Sequence, residues 1–62
     1  MKRRDLEQHL RNHDCELLRH GNKHDVWINT ATLRKTTIPR HNEIKSGTVL
    51  AICKRLGVPA PN

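Results

Sequence analysis

The stretch Cys15-Glu16-Leu17-Leu18-Arg19-His20-Gly21-Asn22-Lys23-His24-Asp25-Val26-Trp27-Ile28-Asn29 decides how this chain folds. Its second half is the most strand-like run in the sequence, built on the β-branched and aromatic residues Val26, Trp27 and Ile28. Gly21-Asn22 is a turn signal, so 15–20 and 24–29 read as consecutive strands. Further on, 29–33 has turn composition, and Lys35 to Pro39, with Thr36, Thr37 and Ile38, reads as a third strand. Pro39 has no N–H to give to a ladder and should mark that strand's end.

Alternation along the second strand puts His24 with Val26 and Ile28 on one face, and Asp25 with Trp27 on the other. Two arrangements stay open. With Trp27 in the core, His24 lies on the uncovered face; with Val26 and Ile28 in the core, a bulge must turn His24 outward. The first is the preferred reading.

Helices are expected on either side. Roughly Arg3 to Asn12 reads as the first, because Leu6 and Leu10 are four apart and share a face. Asp5 and Gln8 have the spacing of a capping pair, with an earlier start equally open. After an irregular link from Arg40 to Lys45, Ser46 is the expected N-cap of a helix over Gly47 to Leu56. There Val49, Ile52, Cys53 and Leu56 follow the i, i+3, i+4, i+7 pattern. Gly57 suits the left-handed position beyond it, and Pro59 prevents continuation. The order is α-β-β-β-α. Short links make the strands an antiparallel meander, and both helices must cover one face of it. The expectation is one α+β domain over 1–62 with a double-stranded-RNA-binding-like layout: a three-stranded antiparallel sheet, two helices on one face, the other face open.

Sixty-two residues bury only about 60% of the surface the unfolded chain exposes. A core this thin leaves no deep pocket, so a large ligand must lie on the surface. Twelve Lys and Arg against six Asp and Glu give a net charge of +6. That points to a polyanionic partner: nucleic acid, an anionic membrane or an acidic protein. No apolar run approaches the length of a membrane span, and no leader is evident. Cys15 and Cys53 are too few for a disulfide scaffold and form no CxxC pair; they read as reduced thiols in a cytoplasmic protein. Trp27 is the only ring among Phe, Tyr and Trp, which argues against a platform that stacks bases. Nucleic-acid binding should therefore rest on phosphate contacts and depend on salt.

Gly21-Asn22-Lys23-His24 entering a strand, then Thr37-Ile38-Pro39-Arg40-His41-Asn42-Glu43-Ile44-Lys45, then Gly47-Thr48 opening a helix that ends in Leu56-Gly57-Val58, resembles the HicA toxins of bacterial toxin–antitoxin pairs. The likeness covers nearly the whole chain. It implies a small ribonuclease that cleaves mRNA, neutralised by a HicB-like antitoxin, with the family's catalytic histidine falling on His24. Three positions depart from the family's pattern. Asn22-Lys23 stands where Gly-Ser often precedes the histidine, Leu33 where glycine is common, and Ser46 where proline is frequent.

The chemistry can be argued from the residues too. An imidazole with an ordinary pKa near 6.5 exists in both forms around neutrality, and RNA brings its own nucleophile, the ribose 2′-OH. Neutral His24 can take that proton as the oxygen attacks phosphorus, while nearby cations stabilise the phosphorane. The expected RNA-binding residues are Arg19, Lys23, Lys35, Arg40, His41 and Lys45. No cofactor and no metal are expected. His9 and His13 have the i, i+4 spacing of metal ligands, but no third ligand is evident. By itself a histidine after a turn is a poor indicator of a site. The rival readings are therefore a non-catalytic RNA-binding module and a protein-interaction subunit.

Overall fold

The computed structural model describes residues 1–61. In chain order the elements are α1 (Arg3–Arg11), β1 (Cys15–His20), β2 (His24–Asn29), β3 (Lys35–Pro39) and α2 (Ser46–Leu56). The strands form one antiparallel sheet in the order β1-β2-β3. Packing of α1 on β1 and of α2 on β3 leaves the opposite face uncovered, as the element order implied.

Trp27 settles the two arrangements of β2. It is 1% exposed, while Val26 and Ile28 on the other face are only half-buried and His24 is exposed. Leu6 and Leu10 from α1, Ile38 from β3, and Val49, Ile52, Cys53 and Leu56 from α2 complete the core with Cys15 and Ile44. The Arg11 guanidinium lies 5.2 Å from the Trp27 ring centre, a cation–π contact from α1. Leu17, Leu18, Leu33 and Leu50 stay largely exposed, so the core is thinner than the apolar count suggests.

β2 is regular, and the sheet's bulge falls on β1 instead. Leu17 pairs with Trp27, and Arg19, not Leu18, pairs with Val26. The extra residue reverses alternation beyond it. Arg19 therefore joins Val26 on the open face, and His20 joins Asp25 on the helix face.

The first helix takes the earlier of its two starts, at Arg3, and the second begins at Ser46, one residue before the expected Gly47. Lys2, not Asp5, occupies the N-cap of α1, and Gln8 donates to Asn12 rather than closing a capping pair. Lys45, not Ser46, occupies the N-cap of α2. Neither position caps through its side chain. Both N-caps go with a short bridge between Lys2 and Glu43. Met1 and Ile44 exchange backbone bonds of 3.0 and 2.8 Å, and the Arg3 N–H donates to the Asn42 carbonyl at 2.9 Å. This pairing holds the chain extended up to both helix starts and satisfies one of the donors that a helix leaves free. Asn42 thus fixes the link through its carbonyl, and Glu43 through its carboxylate, 3.5 Å from the Met1 ammonium.

The other end of α2 follows its sequence. Gly57 is left-handed at φ 71°, and Val58 N–H reaches back to the Cys53 carbonyl at 3.0 Å, the Schellman closure. Asn29, at the end of β2, ties that helix end to the sheet. Its Nδ2 donates to the Leu56 carbonyl at 2.8 Å, and its Oδ1 accepts from the Ala31 N–H at 2.9 Å.

Candidate active site

The β1–β2 turn presents the candidate residues. Its closure is a 2.8 Å bond from the Gly21 N–H to the His24 carbonyl. A Cβ on residue 21 would stand 2.5 Å from that same oxygen, so only glycine lets the turn close this tightly. The turn leads into β2 with His24 exposed and pointing to the open face, in register with Pro39.

There the structure brings three of the expected residues together. Arg19, Lys23 and His24 line one open depression of about 350 Å³ with Gly21, Asn22, Val26 and Thr37. Arg19, Val26 and Thr37 form one row across the three strands. Lys23 reaches the depression from the turn. Two cations and an imidazole around a shallow, water-accessible hollow can hold a phosphate and move a proton beside it.

The other expected residues lie elsewhere. Lys35 is on the same face but opposite Ile28, about 13 Å along the strand from His24 at the usual rise per residue. His41 and Lys45 line a separate hollow with Pro39, Glu43, Ile44 and Thr48. Arg40 stays exposed but is engaged within the chain. Its Nε donates to Asp25 Oδ1 at 2.9 Å, and its Nη2 donates to the Gly21 carbonyl.

Asp25 was not singled out by the sequence, although its place beside Trp27 on the covered face was the available signal. It is 8% exposed, and its Oδ1 meets both Arg40 and His20, whose Nδ1 lies 2.9 Å away. The hydrogen bond from His20, and after it the bond and charge of Arg40, hold the carboxyl below its usual range against the opposing effect of burial. His20 shares this contact only because of the β1 bulge. His9, of the candidate metal pair, uses its Nε2 to hold the Pro59 carbonyl at 2.7 Å, with the His13 ring centre 4.7 Å away.

Both cysteine thiols are buried and free. Burial raises the pKa of each, helped at Cys15 by the neighbouring Asp14 charge. No helix among the described residues is long and apolar enough to cross a membrane.

A basic α+β module with a histidine and two cations on an uncovered sheet face is the class that fold and site define. Residues 3–58 match the family model described as the HicA toxin of bacterial toxin–antitoxin systems. The chain belongs to that family; it is a toxin-type component, and membership implies an antitoxin partner. No curated protein and no solved structure matches it.

Proposed function

We propose that the chain is an RNA endonuclease that cleaves mRNA with His24 and is neutralised by a HicB-like antitoxin. The observation that carries this reading is His24 exposed at the head of β2, in one depression with Arg19 and Lys23, in a chain of the HicA family.

Neutral His24 accepts the 2′-OH proton. The freed O2′ attacks the adjacent phosphorus, and the bond to the 5′-oxygen breaks, that oxygen taking a proton from solvent water while His24 returns its own to solvent. The products are a 2′,3′-cyclic phosphate, or the 3′-phosphate formed when water opens it, and a 5′-hydroxyl. Arg19 and Lys23 neutralise the phosphorane oxygens during the step. Lys35 meets the next phosphates along the strand. A general base of this kind contributes about 10²–10⁴-fold, which sets the loss expected on its removal.

The test is incubation of wild type, His24→Ala and His20→Ala with RNA in excess chelator, followed by end-group analysis. His24→Ala should lose at least about 100-fold in rate and keep its circular dichroism spectrum. His20→Ala removes one of the two bonds to Asp25 but keeps the His24 imidazole, so it should lose far less than His24→Ala. Undiminished cleavage by His24→Ala, or a need for Mg²⁺ with 3′-hydroxyl ends, overturns the reading.

A further inference from the structure

We propose that Arg40 and Asp25 form a clamp that positions the catalytic turn, so that Arg40 acts on cleavage through His24 rather than as a phosphate ligand. The inference rests on the reading of His24 given above and assigns Arg40 a different role from the RNA-binding one its charge suggests.

The geometry is specific. Arg40 immediately follows β3, and Gly21 immediately follows β1. The guanidinium spans from one to the other across the end of β2. Its Nε is fixed by the buried Asp25 carboxylate, and its Nη2 holds the Gly21 carbonyl. Gly21 in turn donates its N–H to the carbonyl of His24. Each link in Asp25–Arg40–Gly21–His24 is thus a hydrogen bond, and its last member is the residue that carries the imidazole.

The clamp is anchored at its root as well. Arg3 Nη1 donates to the Arg40 carbonyl at 2.7 Å, and the link after Arg40 is tied to Met1 and Arg3 by the backbone bonds already described. Asp25 is held in the covered layer between Ile38 in register on β3 and His20 on β1. The turn that projects Lys23 and His24 is therefore braced from α1, β3 and the sheet interior together. Arg40 spends two of its nitrogens on this bracing. Its guanidinium does not line the depression that Arg19, Lys23 and His24 form.

Arginine is needed because the two acceptors are engaged by different nitrogens of one rigid fork. A lysine ammonium keeps the charge but places its donors on a single atom. Catalytic geometry is sensitive at this scale: a displacement of about 1 Å can cost on the order of 10²-fold.

The experiment compares wild type with Arg40→Lys, Asp25→Asn and Arg19→Lys by steady-state cleavage of a short RNA and by hydrogen exchange of the Gly21 amide. Arg40→Lys should lower kcat by about tenfold or more, leave KM and its salt dependence within about twofold, and speed Gly21 exchange. Asp25→Asn keeps an oxygen acceptor for Arg40 without the charge, and should change both readouts in the same direction by less. Arg19→Lys should leave Gly21 exchange at the wild-type rate. Unchanged Gly21 exchange in Arg40→Lys overturns the clamp, and so does a rise in KM at constant kcat, which is the signature of a lost phosphate ligand. If His24→Ala cuts as fast as wild type, the catalytic reading fails separately, and the exchange measurement still decides whether Arg40 holds the turn.

Discussion

Replacing Asn29 with Asp tests the joint between sheet and helix with almost no change of shape. Asn29 is 4% exposed, donating to the Leu56 carbonyl and accepting from the Ala31 N–H. Aspartate keeps the second bond and inverts the first: an oxygen replaces the donor 2.8 Å from the carbonyl. The bond itself is worth about 1 kcal/mol, and stranding a buried carbonyl costs about 1–3 more. Leu56 ends α2, where the helix dipole is negative, so the new charge adds to the penalty. The loss should be about 2–4 kcal/mol at pH 7, against a total stability of roughly 3–9 kcal/mol for a chain of this length. At about 4–8 °C per kcal/mol, Tm should fall by roughly 10–30 °C. The assay is thermal or urea unfolding followed by the fluorescence of Trp27. The sign of the pH dependence is also fixed. Protonating the new carboxyl restores a donor toward Leu56, so its folded pKa lies above the unfolded value. The deficit is full at pH 7 and shrinks as pH falls through the folded pKa. A Tm within about 5 °C of wild type at pH 7, or a deficit as large at pH 5 as at pH 7, would refute the reasoning.

Leu33 sits at φ 66° and is 70% exposed, so Leu33→Gly removes about 1–2 kcal/mol of left-handed strain and adds about 0.4–1 kcal/mol of unfolded-state freedom. Tm should rise by a few degrees, and a lower Tm would show that the leucine side chain stabilises the hairpin. The carboxyl of Asp25 is depressed in the folded state, so its contribution is complete above the unfolded value of about 3.9 and is lost as pH falls through the folded pKa. Urea midpoints of wild type should therefore fall more steeply below about pH 4 than those of Asp25→Asn; parallel curves would contradict the assignment. Three cations on the open face, Arg19, Lys23 and Lys35, predict a slope of log affinity against log salt of about −2 for single-stranded RNA, and Arg19→Ala should reduce it by about 0.7. An unchanged slope in a filter-binding titration would take Arg19 out of the RNA contact.

Much of the fold is written in local signals. The run around Trp27, the Gly21-Asn22 turn, Pro39 and the apolar spacing of α2 each specify their own element, and their sum leaves one layered arrangement. His24 was singled out by the family resemblance, and its place on the open face was the preferred of two arrangements that alternation left, decided by the burial of Trp27. What local reading missed depends on residues far apart in the chain. The N-caps, Lys2 and Lys45, go with Lys2 meeting Glu43, which no capping pattern encodes. The clamp needs Asp25, Gly21 and Arg40, brought together only by the β2–β3 pairing and the turn. The bulge is the intermediate case. Leu17-Leu18 breaks strict alternation, and two adjacent leucines, both substantially exposed, are its visible trace. With that bulge unread, Arg19 and His20 could not be assigned to faces.

A sheet of three strands has two outer borders, and each exposes backbone groups to which another extended chain could add. Here β1 is interrupted by the Leu18 bulge and β3 runs into Pro39. The regular rows left on the borders are short, three residues from Cys15 to Leu17 and four from Lys35 to Ile38. A partner strand finds too little unbroken backbone to zip along, so sister copies are discouraged from stacking into ribbons. The bulge that turns Arg19 to the open face thus also works against aggregation of this small domain.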